Sequence, residues 1–391
     1  MNARHHGARG TTVERIEINF EERGVSSTGT TATADKGSSS RIRTSVITLL
    51  TTLSAAPAAV VAAPFWLMAG ATRYLPRRLR LEPPLLPWLD AMRFVPVVGW
   101  QTRPDLEGYL EADRPFHFTT DAEGWRDASV AIEDADMVVF GDSFAFGQGV
   151  DDADLYSRHT DGIRTKALGS NGYSMVHAVL WMEMLGERLA GRHVIWFVYL
   201  GNDLYDNLRP NYGRYRVPFV AQRDEGWQIE ACHVSAEQWG FPEAPPQYQD
   251  ELARLSTPGP QTDRALAAAA YLLERAQQAC FAADAELTVV TVPRRDQIDP
   301  DLVETLRARS PDPERFSAHL LDEGVRESCA KLGLTVVSLG DHLSHRDYFD
   351  EDIHWKKSGH LVVGSLLAEL HVQRMKSVGP HQSPSQERPS R

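Results

Sequence analysis

Cysteine is scarce in this chain: three residues in 391, Cys232, Cys280 and Cys329, lie far apart and form no CxxC pair. That spacing excludes a disulfide-stapled scaffold, argues against a cysteine-built zinc site and allows one disulfide at most. Basic character is also lacking. Lys and Arg total 41 against 53 Asp and Glu, a formal net charge of -12, and no polybasic face gathers. Nucleic acid is therefore not an expected partner. Internal repeats are absent, which excludes solenoids. Long uncharged runs are absent too, with one exception near the N-terminus. What remains is a globular balance of 42% hydrophobic and 24% charged residues, enough for one large α/β domain or two ordinary ones.

The exception is SVITLLTTLSAAPAAVVAAPFWLMAG, Ser45 to Gly70. A bilayer crossing takes about 20 apolar residues, so residues 44–70 are a candidate transmembrane helix. Pro57 and Pro64 lower its helicity, and an interfacial or re-entrant hairpin is the alternative. The polar stretch before it is too long for a cleaved signal peptide. Lys36, Arg41 and Arg43 flank one side, and Arg73, Arg77, Arg78 and Arg80 the other. The charge count leans towards a cytoplasmic C-terminal domain. Residues 1–43, rich in Ser, Thr and Gly, and the tail 377–391 read as disordered. Residues 71–130 read as a linker and lead-in.

From about residue 131 short apolar runs rich in β-branched residues recur: DMVVF (136–140), HVIWFVYL (193–200), ELTVVTV (286–292) and LTVVSL (334–339). Helical stretches lie between or after them, over 175–191, 264–284 and 358–375. Continuous apolar strands alternating with helices predict a doubly wound α/β domain over 131–376, its parallel sheet covered on both faces. A loop-rich insertion at about 204–262 interrupts it.

In such a sheet reactive groups gather beyond the C-terminal strand ends. Ser143 stands there, after DMVVF, in Gly141-Asp142-Ser143. After a strand over about 165–168 comes LGSNGYS, with Gly172 ahead of a helix from Met175. After HVIWFVYL comes GNDLYDN, with Asn202 at the strand end. Near the C-terminus YFDEDIHWKKSGH places His354 among Asp350, Glu351 and Asp352. Singly, each has a bland reading as a turn, a glycine hinge, a helix cap or a structural histidine. Together they offer a nucleophile and a general base.

Their order and local sequences resemble the SGNH (GDSL-type) hydrolase superfamily, in its membrane-anchored bacterial form, over about residues 93–375. The resemblance implies a three-layer, flavodoxin-like α/β/α domain with Ser143 as nucleophile and His354 as base. It implies an oxyanion hole from Ser143 N–H, Gly172 N–H and the Asn202 side chain. DIHW at Asp352–Trp355 is similar to the DxHW form of polysaccharide acetyltransferase relatives, and EGWRD resembles the GFRD segment that precedes GDS in many members. Ala167, Ala145 and Lys356 depart from the usual Asn, Thr and Asn. Many members place the acid three residues before His, where Glu351 stands. Asp352 is the preferred triad acid, because Glu carries an extra methylene, and Ile353 between the pair is expected to face the apolar interior.

The implied activity is hydrolysis of O-acyl, above all O-acetyl, esters on a carbohydrate or envelope glycan, with no cofactor and no metal. An O-acyltransferase shares the first half-reaction, and a catalytically silent glycan-binding module is the alternative from another class. A metallohydrolase built on His342, His345, His354 and His360 lacks a defined zinc spacing. The family analogy implies a single-pass protein of the cell membrane with an extracytoplasmic domain, against the lean of the local charges.

Overall fold

The computed structural model describes residues 83–112, 114–241 and 251–378. The N-terminal polar segment, the candidate membrane span 44–70 and the tail from 379 lie outside the described residues. Among the described residues, no helix is long and apolar enough to cross a membrane.

The lead-in before residue 131 carries short strands rather than bare linker. β1 (Leu85–Leu86), β4 (Glu107–Leu110) and β5 (Phe116–Thr119) form one small sheet, and β2 (Met92–Val95) pairs antiparallel with β3 (Gly99–Thr102). Alternation in FHFT turns Phe116 and Phe118 inward, onto Phe146.

The main sheet has five parallel strands: β6 (Met137–Gly141), β7 (Thr165–Gly169), β8 (His193–Tyr199), β13 (Glu286–Val292) and β14 (Thr335–Ser338). Four of these coincide with the apolar runs, and β7 with the strand expected over about 165–168. Their spatial order is β14-β13-β8-β6-β7. Chain order therefore reverses between β6 and β8, the switch point at which doubly wound sheets bind ligands. Successive strand residues feed opposite cores. Val138, Phe140, Trp196 and Val198 pack into one, Met137, Val139, Ile195 and Phe197 into the other. Burial on both faces is why these strands are apolar throughout.

Six helices matter for the site: α1 (Ser143–Phe146), α2 (Met175–Leu185), α3 (Asp203–Asp206), α4 (Pro260–Ala282), α5 (Leu320–Leu332) and α6 (Lys357–Val378). α4 begins at Pro260, a residue preorganised for a first helical turn, ahead of the expected start. It buries Ala265, Ala268, Ala269, Leu272, Leu273 and Ala276, the stripe of an amphipathic helix. α5 shows a sparser stripe, Leu321, Val325 and Cys329, and ends at Gly333 with φ +69°. α2, α4 and α5 cover one face of the sheet, while Val363, Leu366 and Leu367 of α6 pack on the other. All three cysteines are buried free thiols.

The insertion folds into two hairpins, β9 (Asn211–Tyr212) with β10 (Tyr215–Arg216), and β11 (Phe219–Arg223) with β12 (Gly226–Glu230). Cys232 exchanges backbone hydrogen bonds of 3.2 and 2.8 Å with Val97, tying the insertion to the lead-in.

Candidate active site

Ser143 follows β6 and opens α1. Asp142 caps that turn, its carboxylate accepting the Phe144 N–H at 2.9 Å. Gly147 ends it at φ +79°, where an L side chain would also strike Leu155. The tight turn leaves the Ser143 side chain at the sheet edge, and His354 Nε2 lies 2.7 Å from its Oγ. His354 Nδ1 lies 2.6 Å from an Asp352 carboxylate oxygen. Burial alone would raise the Asp352 carboxyl, but the hydrogen bond and charge of His354 hold it below its ordinary value. The sequence thus placed side by side three groups that fall 211 and two positions apart in the chain.

The imidazole is held from behind. Its ring packs 4.9 Å from Phe144, which also meets Trp355 at 4.8 Å. Phe349 N–H donates to the His354 carbonyl at 3.0 Å, and Tyr348 O–H donates to the Pro293 carbonyl at 2.7 Å. Ile353 does not face the interior. It is 41% exposed and lines the pocket, because residues 351–354 bend and do not run extended, so strand alternation does not set its direction. Glu351 is exposed, and no hydrogen bond joins it to His354.

The pocket in front of Ser143 has a volume of about 480 Å³ and is lined by Gly172, Asn202, Arg209, Tyr212 and His354 among others. Gly172 sits at φ +76°, and a Cβ there would come within 2.7 Å of the Tyr212 ring. Only glycine allows both that backbone and that approach. The bland cap reading of Asn202 is half true. Asn202 occupies the cap position of α3, but its side chain makes no cap hydrogen bond. Its Nδ2 instead donates to Asp206 Oδ2 at 2.5 Å.

Residues outside the expected set complete the site. The Arg126 guanidinium, from EGWRD, is buried and donates to the carbonyls of Phe146 (2.8 Å), Gly147 and Val150 (2.5 Å), with Nε on Asp152 at 2.8 Å. It fastens the loop that follows Ser143. Trp100 does the same for the next loop. Its indole N–H donates to the Asn171 carbonyl at 3.1 Å, and its own carbonyl accepts from Tyr173 O–H at 2.6 Å. Asp142 and Asp203 are buried carboxyls, with the half-buried Asp206 carboxyl near them. Burial raises all three, Asp142 to about 6 and Asp203 well above the usual range. Among the described residues, no group of three or more His, Cys, Asp or Glu is placed to hold a metal ion.

No family model matches this chain, and no curated protein matches it. Solved structures do resemble it weakly. A carbohydrate acetylesterase from Sinorhizobium meliloti is 11% identical with a TM-score of 0.37, over 62% of this chain and 100% of that one. A member of the lipolytic protein G-D-S-L family from Veillonella parvula is 13% identical with a TM-score of 0.33, over 61% and 98%. The native aryl esterase of M. smegmatis is 9% identical with a TM-score of 0.38, over 62% and 100%. Likeness this weak assigns no activity.

Proposed function

We propose that the chain is a serine ester hydrolase of the SGNH (GDSL) type, removing O-acyl and chiefly O-acetyl groups from a carbohydrate or envelope glycan. The reading rests on one observation, the continuous hydrogen-bond chain from Asp352 through His354 to Ser143 Oγ at the mouth of a pocket. In it, His354 Nε2 takes the Ser143 proton as Oγ attacks the ester carbonyl. Asp352 holds the Nδ1–H tautomer and stabilises the imidazolium. His354 then returns the proton to the departing sugar oxygen, leaving an acyl-serine that water resolves by the same route reversed. Gly172 N–H, Ser143 N–H and the Asn202 amide are the proposed donors to the oxyanion, each worth roughly 3 kcal/mol of barrier.

The carbohydrate part of the reading draws on the DxHW resemblance and on pocket groups suited to hydroxyls: Gln148, Asn171, Asn202 and Arg209. The site stands at the membrane through residues 44–70, on the extracytoplasmic side. Retention of the full-length protein in membranes through a carbonate wash checks the tether; release would remove it.

Ser143→Ala tests the chemistry. Full-length wild type should hydrolyse p-nitrophenyl acetate and bind a fluorophosphonate covalently. The variant should lose labelling entirely and turnover by at least about 10⁴-fold. A labelled alanine variant would refute the nucleophile.

A further inference from the structure

We propose that Asp206 is a positioning residue for the oxyanion hole, orienting the Asn202 carboxamide so that its second N–H serves the pocket. The proposal rests on the serine-hydrolase reading. A carboxamide is nearly symmetric in shape, and its two ends differ only in what they donate and accept. Something must decide which end faces the reacting oxygen. The helix does not, because the Asn202 side chain makes no cap bond. A carboxylate accepts and cannot donate, so at 2.5 Å it selects Nδ2 over Oδ1. One N–H is then committed to Asp206, and its twin diverges from that bond, on a side chain that lines the pocket.

Asp206 can do this because of its place in the chain. It lies four residues after Asn202, one turn along α3, where side chains meet. Its other oxygen, Oδ1, accepts from Arg209 Nη1 at 3.2 Å, and the Arg209 guanidinium lies 5.0 Å from the Tyr205 ring centroid. The arginine has an electrostatic part as well. An isolated carboxylate this close would oppose the negative charge that develops on the substrate oxygen; paired with a guanidinium, its field is offset. Arg209, Asp206 and Asn202 thus form a relay of orientation, with no proton transferred along it.

A double-mutant cycle on the full-length protein tests this, with p-nitrophenyl acetate as substrate. Asn202→Ala should lower kcat about a hundredfold or more. Asp206→Ala should lower kcat between about ten- and a hundredfold, with KM within about twofold, as misplacement of one group does. The double variant should be no slower than Asn202→Ala alone, since Asp206 has nothing left to orient. Multiplying losses, an unchanged kcat in Asp206→Ala, or an effect carried by KM would each overturn the proposal. Should Asp206→Ala fail to fold, wild-type protein labelled with 15N-asparagine decides. The two Asn202 amide protons, identified by their loss in Asn202→Ala, should be widely split, with one far downfield. A pair at ordinary solvent positions overturns the orientation. Wild type that neither turns over ester nor labels at Ser143 would instead bring down the hydrolase reading itself.

Discussion

The parallel sheet and the lead-in before it contribute to the site in opposite ways. Every candidate reactive group, Ser143, Gly172, Asn202 and the Asp352–His354 pair, lies in the sheet domain, beyond the C-terminal ends of β6, β7, β8 or β14. The lead-in supplies none. Yet Arg126 grips three carbonyls of the Ser143 loop, and Trp100 holds the Asn171 carbonyl beside Gly172. The difference teaches that the candidate reactive groups all come from one stretch of this chain, while the other contributes only bracing of the loops beside Ser143 and Gly172. Damage to the first should cost rate at constant stability. Damage to the second should cost stability first.

The largest expected effect tests the chemical side. Asp352→Asn leaves Ser143 and His354 in place but loses control of the imidazole tautomer, which costs up to about 10⁴ in kcat in a strongly coupled triad. At least a tenfold loss is expected on p-nitrophenyl acetate, with a smaller change in stability to urea than Arg126→Met shows, since Asn keeps an oxygen to accept the His354 Nδ1–H. Glu351→Gln should remain within a few-fold of wild type, because Glu351 is exposed and away from the imidazole. The reverse ranking would move the acid to Glu351.

Arg126→Met tests the positioning side. The side chain is fully buried in the ion pair with Asp152, and removing one partner of a buried pair costs about 3–5 kcal/mol. The loop carbonyls at Phe146, Gly147 and Val150 lose their donor at the same time. Urea unfolding should show that loss. Arg126→Lys should recover little of it, since one ammonium cannot replace a planar fork of donors. A stable Arg126→Met protein would erase the contrast between the two regions.

The placement of the candidate reactive groups is legible in the sequence because strand ends are local features. DMVVF predicts β6 and so puts Ser143 at an edge, and the same reasoning places Asn202 after HVIWFVYL. The Asp352 preference followed from side-chain length within four residues. What could not be read were contacts between distant segments. Nothing in EGWRD says that its arginine will meet carbonyls some 20 residues on. Tyr212 over Gly172 depends on how an aperiodic insertion folds, and Trp100 on a strand in what read as linker. Ile353 differs from its expected inward orientation because residues 351–354 form a run of bends, not an extended strand, so no in–out alternation fixes its direction. Asp206 left a trace: its four-residue offset from Asn202 is helical spacing, visible only once Asn202 is known to open a helix.

The smallest expected effect lies at Asp142, which caps the turn carrying Ser143. Burial raises this carboxyl to about 6 from an ordinary 3.8, with Asp206 adding to the rise while the Phe144 N–H and His354 pull it down. Below about pH 4 both folded and unfolded chains hold the proton, and Asp142 costs nothing. Between about pH 4 and 6 the unfolded chain releases it while the folded chain keeps it, so stability falls as pH rises. Above about pH 6 the full cost of a buried charge is present, about two units at ~1.4 kcal/mol each, or roughly 3 kcal/mol. Asp142→Asn keeps an oxygen to accept the Phe144 N–H but cannot titrate. Its stability relative to wild type should therefore be lowest near pH 4 and climb by up to roughly 3 kcal/mol at pH 7, measured by urea unfolding across that range. The same substitution removes a negative charge that favours the His354 imidazolium, so turnover should decline as stability improves. A pH-independent difference between the two proteins would mean that Asp142 ionises as an exposed carboxyl does, and that the turn below Ser143 is more open to water than its burial implies.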